Sequence, residues 1–301
     1  MSGTIIVSLP GNERLGGQLA DALGVSQAQL ELRQFPDGET YLRLKTVCED
    51  KDVVVVSTLD RPDAKLLPLI FLCDLLRDLG ARKRILIAPY LAYMRQDKRF
   101  NPGEALTSAS FAHLLSGSIE GLLTVDPHLH RRHGLDEIYS IPARVVHAAP
   151  MLAEWIRSNV SNPLLVGPDS ESEQWVADVA ARAGSPYIVL EKTRRGDRAV
   201  EISVPDVERW RHHRPILVDD IISTAHTMIE TVRHLHTIGM PAPVCLGVHA
   251  VFAGDAVAAL RATSVEQIVT TDTIPHETNG MEISNLLIDG LEELLSEEAG
   301  G

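Results

Sequence analysis

Short apolar, β-branched runs recur along the chain: TIIVSL at 4–9, VVVV at 53–56, RILIA at 84–88 and LLTV at 122–125. PLLVG, YIVL, PILV, VCLGVHAV and QIVTT continue the series in the second half. Such runs, bounded by polar turns, predict strands buried on both faces. Between them lie stretches with helical period, such as AKLLPLIFLCDLLRDLG, LAEWIRSNV and AHTMIETVRHLHTIG. Strands alternating with helices predict an α/β fold of mostly parallel sheets flanked by helices. Ligands of such sheets bind beyond the carboxyl ends of the strands, so the loops after each strand are where chemistry is expected.

The two halves echo each other. VVVVSTLDRPDAKLLPLIFLCDLLRDLGARKRILIAPY and PILVDDIISTAHTMIETVRHLHTIGMPAPVCLGVHAV each read as a strand, a polar loop with Ser-Thr, an amphipathic helix, a glycine turn (Gly80, Gly239) and a strand. One reading is a duplicated domain in which only the second copy carries an acid pair; the other is coincidence within an α/β chain. The boundary falls near His147–Pro150. This gives a first domain over 1–146, a second over 147–285, and a helix and tail over 286–301 that could pack back on the first.

Composition narrows the partners. With 301 residues, 45% of them hydrophobic, each half can bury a core. The net charge of −13 argues against nucleic acid or an anionic membrane as the main partner, because those need a positive field. Phosphate ligands stay open, since a local arginine cluster or a metal can hold them. Cys48, Cys73 and Cys245 are far apart and read as free thiols in a reducing compartment. No basic segment precedes a long apolar run at the start, and LLPLIFLCDLL, with Pro68 and Asp74, is too short to span a bilayer. A cytoplasmic protein is expected.

Two loops stand out. In ILVDDIISTAHT, Asp219 and Asp220 end an apolar run. The loop after them and the following helix N-terminus would form an anion site, with Ser223, Thr224 and Thr227 adding hydroxyls. Carboxylates beside an anion site suit a ligand that also offers hydroxyls or shares a metal, such as a sugar phosphate. The competing reading is an aspartate cap and a solvated loop. His226 stands where a tight loop would use glycine, at a cost for any positive φ. In VDPHLHRRH, the spacing of His128, His130 and His133 suggests zinc, but Arg132 takes the place of a further acid ligand. Solvated surface histidines are the third possibility there.

A strand running into two acids and a Thr-x-x-Thr turn resembles the phosphoribosyl diphosphate loop of the type I phosphoribosyltransferase fold. FPDGETYLRL at 35–44, PYLAYMRQDKRF at 89–100, VDPHLH at 125–130, VGPDSESE at 166–173, EKTRRGD at 191–197 and the closing NGMEISNLLIDGLEELL occur in the order seen in the ribose-phosphate diphosphokinase (phosphoribosyl pyrophosphate synthetase) family. The resemblance spans nearly the whole chain. It implies two tandem type I phosphoribosyltransferase-like domains. It also implies transfer of the β,γ-diphosphoryl group of Mg-ATP to the C1 hydroxyl of ribose 5-phosphate. The products would be AMP and 5-phosphoribosyl 1-diphosphate, for nucleotide biosynthesis.

By the same resemblance, Arg95, Gln96 and Asp97 contact the nucleotide. Phe35, Asp37 and Glu39 hold adenine and ribose from a neighbouring subunit, which implies a homo-oligomer, dimer or hexamer, with a shared nucleotide site. His128, beside Asp126, goes with Mg-ATP, and Asp169 with magnesium and ribose phosphate. Lys192 and Arg194 close over the transferring group. Asp219, Asp220, Ser223, Thr224, Ala225, His226 and Thr227 bind ribose 5-phosphate. The sequence departs from the family at Ser170-Glu171-Ser172, at Ala225-His226 and in HRRHGLDEIYSIPARV. Those departures motivate a second reading, a non-catalytic partner of an active relative. A phosphoribosyltransferase that consumes the diphosphate is a third.

Overall fold

A computed structural model describes residues 3–129, 131–168, 172–195, 199–203 and 207–296; over 191–195, 199–203 and 207–208 it describes the backbone alone. The chain forms two compact units, residues 1–146 with 283–301, and residues 147–282.

The first unit runs β1 (Thr4–Ser8), α1 (Glu13–Leu23), β2 (Ser26–Gln27), β3 (Leu30–Gln34), β4 (Thr40–Leu44), β5 (Asp52–Val56), α2 (Asp63–Asp78), β6 (Lys83–Ala88), α3 (Thr107–Ser116), β7 (Gly121–Val125) and β8 (Ala143–Val146). The second runs α4 (Ala149–Asn159), β9 (Pro163–Gly167), α5 (Glu173–Ala183), β10 (Tyr187–Val189), β11 (Glu191–Arg195), β12 (Ala199–Ser203), α6 (Val207–Trp210), β13 (Arg214–Ile222), α7 (His226–Thr237), β14 (Val244–Ala250), α8 (Ala256–Arg261), β15 (Gln267–Thr271) and β16 (Asn279–Met281). A last helix, α9 (Ser284–Ser296), belongs to the first unit.

Each unit holds a parallel six-stranded sheet, ordered β2-β1-β5-β6-β7-β8 in one and β10-β9-β13-β14-β15-β16 in the other. The two orders are the same, strand for strand. Each also inserts an antiparallel ribbon at the same point in the chain, β3–β4 after β2 and β11–β12 after β10. Register agrees as well: Val56 pairs with Ile87 as Val218 pairs with Leu246, and Ala88 pairs with Thr124 as Gly247 pairs with Thr270. The central strands are apolar because both faces are covered; β5 and β6 are buried along their whole length.

Helix ends follow local chemistry. α1 and α5 both stop at a left-handed glycine, Gly24 (φ 64°) and Gly184 (φ 67°), a conformation that costs a Cβ-bearing residue. α9 buries Leu287, Leu291 and Leu294 against α1, β7 and β8. Full burial is worth about 1.5–3 kcal/mol for each such side chain. Gly290 lets it approach closely, since a Cβ there would lie 2.8 Å from Leu123 Cδ1. The Lys83 ammonium donates to the Leu294 carbonyl near the helix end. No described helix is long and apolar enough to cross a membrane.

Candidate functional site

In the second unit the acid pair lies inside β13, not beyond it. Pairing with β14 runs on from Asp219↔Gly247 to Ile221↔His249 and Ile222↔Ala250, which extends the strand past both carboxylates. Leu217 and Ile222, five residues apart, both join the apolar cluster that contains Met228, Ile229 and Val232 of α7. An odd separation within one cluster means that the alternation of the strand is broken once between them. Asp219 and Asp220 are therefore not forced to opposite faces. Gly247 makes room for this, because a Cβ there would meet Ile222 Cδ1 at 2.5 Å. Both acids are half-buried, and Asp219 Oδ1 accepts from the Asp220 N–H at 3.0 Å.

Beyond Ile222 the loop is tied down by its backbone. Phe252 N–H donates to the Ile222 carbonyl (2.9 Å) and Ala253 N–H to the Ser223 carbonyl (3.1 Å). The cost of a positive φ does not fall on His226. The left-handed residue is Ala225 (φ 57°, ψ 9°), and His226 is the exposed first residue of α7. The chain turns one position earlier than the glycine comparison implied, and helical dihedrals suit histidine. Ala225 bears the steric cost, about 1–2 kcal/mol for an L-residue. No side chain caps α7. Among the described residues, no hydrogen bond reaches the hydroxyls of Ser223, Thr224 or Thr227. Open hydroxyls at the uncapped N-terminus of a twelve-residue helix suit an anion.

Sequence reasoning missed the buried hydroxyl and imidazole network beside this loop. His249 Nδ1 lies 2.9 Å from Thr273 Oγ1, and Thr271 and Thr273 donate to the Val248 carbonyl at 2.7 and 3.0 Å. The available signal was a histidine inside an apolar run, VCLGVHAV. Next to Leu217 in register, Cys245 is wholly buried, and burial pushes its thiol up to about 12, so it is inert. His276 packs on Phe252 with ring centroids 4.7 Å apart, and burial lowers its pKa.

In the first unit, FPDGE forms the tip of the β3–β4 hairpin. Phe35 N–H donates to the Glu39 carbonyl (2.8 Å) and Gly38 N–H to the Phe35 carbonyl (2.9 Å). Phe35 is 42% exposed, and Asp37 and Glu39 are exposed beside it. The Arg33 guanidinium lies 4.8 Å from the Phe35 ring and 4.1 Å from Tyr41. In the loop after β6, Arg95 is exposed, while Gln96 Oε1 accepts from Thr107 Oγ1 at 2.9 Å. The Asp97 carboxylate is engaged by Arg131 at 3.1 and 3.4 Å.

After β7, Asp126 (φ 34°) and His128 (φ 28°) flank Pro127, and His128 N–H donates to the Asp126 carbonyl at 2.9 Å. Positive φ at two non-glycine residues is strain of the kind that concentrates at functional sites. Arg132 binds Asp97, Ser108 and Glu137. No group of three or more metal-capable side chains gathers among the described residues. His130 and Asp169, with Ser170 and Glu171, lie outside the described residues. Lys192 and Arg194 sit on β11, paired with Ile202 and Val200; their side chains are outside the description.

Comparison with known proteins places the chain. The model for the N-terminal domain of ribose phosphate pyrophosphokinase matches residues 4–118, and that for the phosphoribosyl transferase domain matches 134–282. The ribose-phosphate pyrophosphokinase of Methanothermobacter thermautotrophicus is 31% identical over 96% of this chain and 100% of its own. That of Methanopyrus kandleri is 32% identical over 96% and 99%. The crystal structure of phosphoribosylpyrophosphate synthetase from Mycobacterium smegmatis superimposes with a TM-score of 0.86 at 22% identity, covering 97% of this chain and 99% of that one; it speaks for the fold.

Proposed function

The chain belongs to the ribose-phosphate pyrophosphokinase family, and from that premise we propose that it moves the β,γ-diphosphoryl group of ATP to the C1 hydroxyl of ribose 5-phosphate. The β13–α7 junction carries this reading. It sets two half-buried carboxylates directly before a loop of open hydroxyls and an uncapped helix N-terminus. The amides of α7 with Ser223, Thr224, Ala225 and Thr227 hold the 5-phosphate, with His226 at the rim. Asp219 and Asp220 accept from ribose hydroxyls, which orients the C1 oxygen. That oxygen attacks the β-phosphorus and releases its proton to solvent, the bond from Pβ to the α,β-bridging oxygen breaks, and AMP leaves with that oxygen.

Phe35 stacks on adenine, with Asp37 and Glu39 beside it. Their exposure on a hairpin suits a site completed by a second copy of the chain in a homo-oligomer. Arg95 offers a fork to phosphate and Gln96 an amide to the nucleotide. Lys192 and Arg194 offset charge on the transferring group. Magnesium takes oxygen ligands and shares them with substrate phosphates. In this reading His128 stands with the ATP-bound ion, and the buried Asp126 near it offers carboxylate oxygens. Asp169 is the further ligand in this reading. When bound, the ion neutralises the phosphoryl oxygens. A cytoplasmic setting suits the substrates.

Phosphorus NMR of the protein with Mg-ATP and ribose 5-phosphate tests the reading. AMP and a phosphoribosyl diphosphate signal are expected. ADP instead of AMP, or no diphosphate product, overturns it. Tight binding of ribose 5-phosphate without product would make the chain a non-catalytic partner.

A further inference from the structure

Two consecutive arginines join the loop after β6 to the segment after His128, and the mechanism above uses neither. The Asp97 side chain is only 3% exposed. A carboxylate so far out of water needs its charge met. Arg131 Nη1 meets it at both oxygens, 3.1 and 3.4 Å away. Arg132 takes the same residue by its backbone, with Nη2 3.3 Å from the Asp97 carbonyl and 3.4 Å from Ser108 Oγ in α3. Its other end is set by Glu137, 3.6 Å from Nη1, and Glu137 also accepts from His133 N–H at 2.8 Å. Arg131 further lies 5.8 Å from the Phe100 ring. Asp97 is thus held by side chain and main chain at once. Gln96 is fixed by Thr107, and Arg95 is the exposed member of the triplet.

We propose that Arg131 and Arg132 are positioning residues for the nucleotide, clamping Asp97 so that the Arg95 loop and the His128 loop move as one piece. Asp97 is then an anchor and not a nucleotide ligand. The inference rests on the diphosphokinase reading only for what Arg95 and His128 serve. Releasing the clamp lets Arg95 wander, which weakens nucleotide binding and leaves ribose 5-phosphate alone.

The test uses the full chain, with initial rates measured against ATP and ribose 5-phosphate separately, calorimetric ATP binding, and thermal melting. Arg131→Met and Asp97→Asn should each raise the KM for ATP about tenfold, the loss of one well-placed charged hydrogen bond. The KM for ribose 5-phosphate should hold, while the melting temperature falls for Arg131→Met, which leaves a buried carboxylate unpaired, and less for Asp97→Asn. The double variant should be no worse than either single, because both remove one interaction. Arg132→Lys, which can still donate to the Asp97 carbonyl, should retain ATP affinity better than Arg132→Met. Additive losses, equal rises in both KM values, or melting that falls without a KM split overturn the clamp. If the parent makes no product, the diphosphokinase reading falls, and calorimetry still decides: weaker ATP binding in the variants supports the clamp, and unchanged or absent ATP binding overturns it.

Discussion

The ends of β5 and β13 hold the same place in two sheets of the same order, and they have been put to opposite uses. Ser57-Thr58 follows Val56 where Asp219-Asp220 follows Val218. In the first unit the loop closes on itself. Thr58 N–H donates to Asn12 Oδ1 (2.9 Å), and the Lys65 ammonium reaches the Thr58 carbonyl (3.0 Å) and pairs with Asp60. The loop's cation is already taken up by its own carbonyl and carboxylate. In the second unit the carboxylates are followed by hydroxyls left open among the described residues. Other details do not diverge. Asp126 and Asp272 both donate their N–H to the last residue of the neighbouring strand, Val146 and Met281. Tyr93 and Phe252, each five residues past the matched Ala88 and Gly247, both have positive φ (63° and 32°). Strain present in both units belongs to the fold. The choice of which groups stay unpaired belongs to the site.

The largest effect that could break this comparison comes from the acids. Asp219→Asn or Asp220→Asn should lower kcat/KM for ribose 5-phosphate by about 30- to 100-fold, the scale of a hydrogen bond to a charged group, with little change in the KM for ATP. Ser57→Ala and Thr58→Ala should leave both unchanged. Steady-state kinetics that show equal losses at both strand ends would erase the distinction. A smaller effect sharpens it within the second unit. Ala225→Gly relieves a left-handed alanine but removes a buried methyl, so stability should rise by no more than about 1 kcal/mol. His226→Gly should lower stability by about as much, because glycine is poor in a helix. Denaturant melts that reverse this order would return the strain to position 226.

The smallest effect is one of pH. His234 and His276 lie in the second unit, and burial lowers both from the ordinary value of 6.5. The unfolded chain then takes up protons first. Stability is lost as pH falls through the histidine range and is unaffected above it. Hydrogen exchange of β14 and β15, corrected for intrinsic rate, should speed up relative to β5 and β6 between about pH 7.5 and 5.5. Equal change in the two sheets would count against it.

The sheets were legible because fully buried parallel strands need apolar runs, and VVVV, RILIA and PILV leave no alternative period. The hairpins were visible as turns, since Pro-Asp-Gly names one directly. Their matching insertion points were not, because they show only once the strand order of both sheets is known. The acid pair was found, but its place inside β13 was missed. Its pairing with β14, and the space Gly247 gives Ile222, show how the strand continues. A dihedral is a property of the turn, so size drew attention to His226 where the left-handed residue is Ala225. Arg132 read as an obstacle to zinc because sequence cannot show that Asp97, 35 positions earlier, is its partner.

The return of α9 to the first sheet has a consequence for synthesis. The first unit is begun first, but its sheet lacks a covering helix until residues 284–296 have emerged. The second unit has all of its residues by 282. The later-encoded unit is therefore the first that can finish folding. Until then the apolar faces of β7 and β8 stay open, so a stop codon or proteolytic cut just before α9 would spare the candidate ribose-phosphate loop and unmake the unit that carries the nucleotide residues.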